Sequence, residues 1–183
     1  MNARGDSLVV ISYHVGQTYQ STAAVEREEY YGTGLLPPYV ILDGAIIVWE
    51  ASPNAYYARY AQADSVARTV QSLFNIYILD ATASATTGSI ELRLVPSDTL
   101  PDDELAVFAA ILEDTLIGAY DTFMHVCREL YTFPWQLSYP DSLDTTITFS
   151  HNMPVNRMKT VVFVQNIDTR EIFQTTRSYF QEE

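Results

Sequence analysis

The 183-residue chain holds one cysteine, Cys127, and three histidines, His14, His125 and His151. A single thiol cannot run dithiol–disulfide exchange, which needs an attacking and a resolving thiol close together at a helix N-terminus. It cannot close an internal disulfide either. Cys127 lies in the strand-like run Met124-His125-Val126-Cys127-Arg128-Glu129, where a free cysteine reads as a small buried hydrophobe rather than a nucleophile. His125 and Cys127, two positions apart, would share one face of a strand, and His14 or His151 would have to complete a soft metal site from far along the chain. Such scattered ligands define no metal centre, and neither a metal nor a cofactor is assigned.

Carboxylates gather at Pro101-Asp102-Asp103-Glu104, at Glu113-Asp114 and in the turn Asn166-Ile167-Asp168-Thr169. Acid–base catalysis and calcium binding both need such neighbours. The EF-hand spacing is missing, however, and each group falls where a loop is expected, so all three read as solvated turns. There is no phosphate-cradling glycine loop, no Gly-x-Ser-x-Gly elbow and no His-Glu-x-x-His. Arg4-Gly5-Asp6 matches a cell-adhesion tripeptide, but three residues recur by chance. No catalytic residue is assigned, and the expectation is a chain that is not an enzyme.

Composition narrows the partners. Hydrophobic residues make up 48% and charged residues 18% of the chain, a globular balance with enough apolar surface to bury a core. The longest apolar stretches, Ala45 to Trp49 and Val161 to Val164, fall far below the ~20 residues of a membrane-spanning helix. Ten basic residues stand against 23 acidic ones, for a net charge of −13, and Lys159 is the only lysine. That leaves no basic surface to neutralise a phosphate backbone, so nucleic acid is not an expected partner. The N-terminal residues Met1 to Asp6 lack the apolar segment of a signal peptide, which predicts a cytosolic chain or one without its natural beginning.

The elements that must position any site follow from periodicity and punctuation. Ser7 to Tyr13 is a short β-branched run that reads as a strand buried on both faces. Ser21 or Thr22 caps a helix running to Tyr31, with Gly32 at its C-terminal end. Pro37 and Pro38 bar helix from the next stretch. Asp43-Gly44 between Tyr39–Leu42 and Ala45–Trp49 signals a hairpin, because a type I′ turn needs positive φ at both central positions. Ser52-Pro53 opens a long helix to about Phe74, with an apolar stripe through Tyr56, Tyr60, Ala63, Ala67, Val70 and Phe74. Beyond Asn75 the period becomes two. Ile90, Leu92 and Leu94 alternate with Glu91 and Arg93, and further strands are predicted at Ile76–Thr82, Leu105–Leu112, Met124–Tyr131, Thr145–Phe149, Thr160–Gln165 and Glu171–Thr176. Short strands divided by turn formers predict an antiparallel sandwich.

The order strand, helix, proline-ended loop, hairpin, helix resembles the second half of a thioredoxin fold, with Pro38 at the position that is cis in that family. Val9-Val10-Ile11-Ser12-Tyr13-His14, Tyr30-Tyr31-Gly32, Gly34 to Gly44, and Met124 to Glu129 resemble, more narrowly, the envelope-associated family named after a twenty-eight-kilodalton outer-membrane protein. That resemblance implies an α+β fold: a partial thioredoxin-like layer at 1–74 followed by a small antiparallel β-sandwich at 75–183. The central strand and the helix that often begins with Cys-x-x-Cys have no counterpart here. Their loss would leave two apolar edges, on the Val9 and Val40 strands, that must pair with each other, be covered or recruit another chain, and pairing directly or across a dimer is the expectation. The resemblance further implies a periplasmic or secreted protein of the cell envelope, with an extended-peptide site on the loop carrying Tyr31, Leu36, Pro38 and Tyr39. The expected function is a non-catalytic protein-binding or assembly module, with self-association through strand edges as one form of partnering. The alternative is a piece of a thiol–disulfide oxidoreductase whose Cys-x-x-Cys lies upstream.

Overall fold

A computed structural model describes residues 8–16, 18–32, 39–48, 53–70, 72–98, 104–134 and 139–183. Helix α1 (Thr22–Tyr31) begins where the sequence predicts: the Ser21 hydroxyl accepts from the Ala24 N–H at 3.2 Å. It ends on Gly32, whose φ of +63° lets its N–H reach back to the carbonyls of Glu28 and Glu29, the left-handed cap that glycine adopts without steric cost. Strands β1 (Val40–Leu42) and β2 (Ile46–Val48) form the expected hairpin. Asp43 and Gly44 both have positive φ, but the connection holds three residues rather than two, since Leu42 pairs with Ile46.

Helix α2 (Pro53–Ala67) is shorter than its apolar stripe predicts. Val70 is exposed, and Phe74 opens strand β3 (Phe74–Ala83), where it pairs with Pro96 and sits in the sandwich core. A fully buried ring between two sheets gains more than an additional helical turn at the surface, so tertiary packing overrides the helical period.

The remaining strands are β4 (Thr87–Pro96), β5 (Leu105–Glu113), β6 (Leu116–Ile117), β7 (Thr122–Phe123), β8 (Val126–Pro134), β9 (Leu143–Ser150), β10 (Met158–Asn166), β11 (Ile172–Tyr179) and β12 (Gln181–Glu182), with a 3-10 turn at Val155–Arg157. Two four-stranded sheets, ordered β11-β10-β5-β8 and β12-β3-β4-β9, face each other. Every described pairing in them is antiparallel except β12 with β3. Phe74, Ile76, Ile90, Leu92 and Leu94 from one sheet meet Leu105, Val107, Ala109, Ile111, Val162 and Val164 from the other. The molecule is thus α+β, with a β-sandwich as its larger part.

Strands β5 and β10 are buried at every position. Their second face is covered as well, in an apolar cluster of Ala23, Ala106, Phe108, Ala110, Leu112, Cys127, Val161 and Phe163 with Val9, Ile11 and Tyr13 packed against it. Helix α1 and the opening run lie over this outer face. The run behaves differently from its reading as a two-sided strand. Val9, Ile11 and Tyr13 turn inward while Leu8 and Val10 stay exposed, and a single parallel bridge joins Ser12 to Val126. The Ser12 N–H donates to the His125 carbonyl at 2.8 Å, and the Cys127 N–H donates to the Ser12 carbonyl at 2.9 Å.

Direct pairing of this run with the Asp43-Gly44 ribbon, one of the expected outcomes, does not occur among the described residues. The ribbon forms its own two-stranded sheet. Three-residue strands offer few ladder bonds, whereas the outer face of β5 and β10 offers a broad apolar surface, and burial there wins. The ribbon's turn docks on the β10–β11 corner, where the Ile172 N–H donates to the Asp43 carbonyl at 2.8 Å. A Cβ on Gly44 would stand 1.9 Å from the Arg170 carbonyl oxygen, at a φ of +72°. Gly44→Ala is therefore expected to undock the ribbon and to cost at least about 1 kcal/mol from the left-handed φ alone. Loss of amide protection at Ile172 in hydrogen exchange is the check. Pro38 lies outside the described residues; the cis peptide bond among them is Tyr139-Pro140.

Candidate functional site: a hairpin finger on a buried ion pair

Strand β5 does not run directly into β8. The chain leaves the sheet at Asp114, makes the short β6–β7 hairpin, and returns at His125. Thr115 (φ 61°) and His125 (φ 62°) both take the left-handed conformation at the two ends of this excursion, which non-glycine residues hold only under tertiary constraint. The constraint is a charge. Lys159, on the outer face of β10, is 2% exposed, and its Nζ donates to Asp114 Oδ2 at 2.7 Å. The same ammonium touches Nδ1 of His125. The His125 backbone N–H donates to Asp114 Oδ1 at 2.5 Å, and the Asp114 N–H donates to the Arg157 carbonyl at 2.9 Å. One carboxylate thereby holds both ends of the finger to the sheet.

Burial lowers the pKa of Lys159, opposed by its hydrogen bond to Asp114. Burial and then the Lys159 charge lower that of His125, opposed by Asp114, whose Oδ1 lies 3.3 Å from the ring Nδ1. Lysine, aspartate and histidine are groups that can carry protons, and here the Lys159 ammonium is buried in an ion pair that fixes the base of the finger. The arrangement is a clamp. The Glu113-Asp114 pair, expected in a solvated turn, is buried, with the two residues 6% and 8% exposed. Cations from neighbouring strands draw it in: Arg128 Nε lies 3.6 Å from Glu113 Oε2, and Lys159 meets Asp114. Asp168, by contrast, is exposed in a turn where Asn166 Oδ1 accepts from the N–H groups of Asp168 and Thr169.

The finger carries apolar surface into water. Ile117 is 72% exposed, Tyr120 97% and Met124 45%. Behind them the Phe123 ring packs edge-on to His14 at 4.8 Å and to Tyr19 at 5.8 Å, and the Tyr19 hydroxyl donates to the Ile117 carbonyl at 2.6 Å. Phe123 also fills the space a side chain at Gly118 would need, since a Cβ there would lie 2.6 Å from the ring. Thr18, Tyr19, Ile117, Gly118, Ala119 and Phe123 line an open cleft of about 230 Å³ between finger and loop. This is below the ~300–1,000 Å³ of typical small-molecule pockets.

Of the residues expected at a peptide site, the structure describes Tyr31 and Tyr39. Tyr31 is tied inward: its hydroxyl accepts from Arg27 at 2.8 Å and from Gln165 Nε2 at 3.0 Å, and its carbonyl accepts from Arg170 at 3.2 Å. The Arg27 guanidinium, also hydrogen-bonded to Gln165 Oε1, stands within about 5 Å of the Tyr30, Tyr31 and Phe108 rings. Tyr39 is half-buried at the start of the ribbon, and Leu36 and Pro38 lie outside the described residues.

Cys127 is fully buried, and its thiol is pushed up to about 12 by burial. Above pH 9 the unfolded thiol ionises while the folded one does not, so the unfolded chain binds fewer protons and stability falls between about pH 9 and 12. Burial raises Tyr13 as well, and its loss of stability adds in the same direction. Cys127→Ala is expected to flatten the slope of urea-unfolding free energy against pH above 9. Native Cys127 is also expected to resist iodoacetamide until the chain is unfolded.

Sheets, helix and clamp together define an α+β protein in which an antiparallel sandwich carries an apolar covering layer on one face and a hairpin finger at one end. No family model matches the chain, and no curated protein matches it. Among solved structures it is similar to HBP35 of Porphyromonas gingivalis, with a TM-score of 0.65 at 10% identity over 86% of this chain and 58% of that one. It is also similar to a domain of the outer membrane lipoprotein Omp28 from the same organism, with a TM-score of 0.47 at 15% identity over 61% of this chain and 91% of the other. The first likeness shows a shared fold, and this chain spans 58% of the length of HBP35.

Proposed function

We propose that this chain is a non-catalytic protein-binding module of a bacterial cell envelope, and that the β6–β7 finger is its contact surface. The observation that carries the reading is the exposure of Tyr120, 97%, beside Ile117 at 72% on a hairpin whose base is pinned by a buried ion pair. Large aromatic and aliphatic side chains left in water lower affinity for solvent and raise it for a partner, and rigid presentation reduces the entropy lost on binding. The envelope setting rests on the sequence resemblance to the envelope-associated family, with which the shared fold of HBP35 is compatible.

The test compares the immobilised chain with its Ile117→Ser/Tyr120→Ser double variant in an envelope extract. Both side chains are exposed, so the midpoint of thermal unfolding is expected to stay within a degree or two. A protein retained by the wild type and lost from the double variant supports the reading. Equal retention, or none by either, overturns it.

A further inference from the structure

The four sheet edges are not protected alike. Edge strand β8 carries a register shift against β5 and is bridged at its start by Ser12. Edge strand β11 carries a shift against β10 and lies against β3. Strand β12 is two residues long. Strand β9 has none of these features: it pairs with β4 through eight consecutive residues without a shift, and among the described residues nothing pairs with its other side. Its sequence, Leu-Asp-Thr-Thr-Ile-Thr-Phe-Ser, has no lysine or proline and is rich in β-branched residues. Natural sheets blunt such edges unless the edge has a partner.

We propose that the partner is a second copy of this chain, with two β9 strands joined antiparallel about a two-fold axis through Ile147. Residues on one face of a strand must meet residues on the same face of its neighbour, so positions of equal parity stand opposite each other. Centring on Ile147 places it against its own copy, Thr145 against Phe149, Thr146 against Thr148 and Asp144 against Ser150. Charge selects this occupant. A chain of net charge −13 repels its copy over most of its surface, but β9 holds one charged side chain, Asp144, which is neutralised by a two-pronged contact with Arg93 at 2.7 Å and 2.7 Å. In this register Asp144 meets a hydroxyl rather than a carboxylate. The inner side of the edge gains as well. Leu143, Ile147, Tyr131 and Phe133 are only partly buried where the sandwich opens between β8 and β9, and a paired strand covers that seam.

The proposal is independent of the finger, which lies on a different part of the chain. The test is the molar mass of the full chain by light scattering and sedimentation across micromolar to near-millimolar concentration. The expected result is a reversible rise from 20.7 kDa to twice that mass, with dissociation at about 1 µM or weaker, as befits a strand-sized interface. Thr146→Lys/Thr148→Lys places like charges directly opposite in the proposed register, on the water-facing side of β9. It is expected to remain folded by circular dichroism and to weaken association at least tenfold. Thr146→Glu/Thr148→Glu should do the same, and an equimolar mixture of the two variants should pair again. A wild-type chain that stays at 20.7 kDa, one that grows beyond two copies, a lysine variant that dimerises like the wild type, or folded variants that fail to pair when mixed would each overturn the proposal.

Discussion

Replacing Asp114 with alanine is expected to destabilise the fold by about 3–5 kcal/mol, because it leaves the Lys159 ammonium buried without its counter-charge. Lys159 is 2% exposed and cannot extend to solvent without breaking the outer face of β10. The same carboxylate accepts the His125 N–H, so its removal also frees the far end of the finger. Urea unfolding gives the first effect, and hydrogen exchange at His125 and Ser12 gives the second, since Ser12 donates to the His125 carbonyl. The double variant Asp114→Asn/Lys159→Met removes both charges and is expected to recover most of the loss, as apolar replacement of a buried pair is often neutral or better. If the double variant is as unstable as Asp114→Ala, packing rather than charge holds the finger.

Acid acts on the same cluster. The folded pKa of His125 is lowered, so below pH 6.5 the unfolded chain takes up a proton that the folded chain refuses. Stability from this group is complete above 6.5 and declines as pH falls toward the folded value. In a His125→Ala chain that part of the acid dependence should be missing from unfolding curves.

Phe163→Ala is the second large effect, about 3–5 kcal/mol, from the lost transfer of the ring and the cavity it leaves. Phe163 is 1% exposed and stacks on Phe108 at 5.0 Å, under the Arg27 guanidinium. Because it points to the outer face of β10, the damage should be uneven. Amides of α1 and the ribbon are expected to lose protection before those of β3 and β4, whose core lies on the opposite face. Uniform loss of protection would mean that the covering layer and the sandwich unfold as one unit.

Helix α1 with both its caps, the Asp43-Gly44 ribbon and the alternation through Ile90, Leu92 and Leu94 were legible because each is written in neighbouring residues: a hydroxyl three positions before the N–H it caps, a glycine where φ turns positive, a period of two. The end of α2 was not, since Phe74 serves a helical stripe and a strand equally well and the choice falls to the sheet that buries it. The finger escaped notice for a related reason. Its strands are two residues long and fall between the predicted strands Leu105–Leu112 and Met124–Tyr131, where no element is expected. One signal for its anchor did stand in the sequence, a sole lysine inside the apolar run from Met158 to Val164, although its partner lies 45 residues earlier.

The sequence by itself determined the α+β class, the sandwich and the single-thiol limit, since composition and short-range pattern decide those. Only the tertiary structure decided where the opening run lies, which carboxylate is buried, which edge is open and which side chains reach water. Burial and ion pairing act between residues brought together by the whole fold, and the local pattern around Val9, Asp114, Tyr120 or Ile147 does not contain the partner whose presence or absence sets its role.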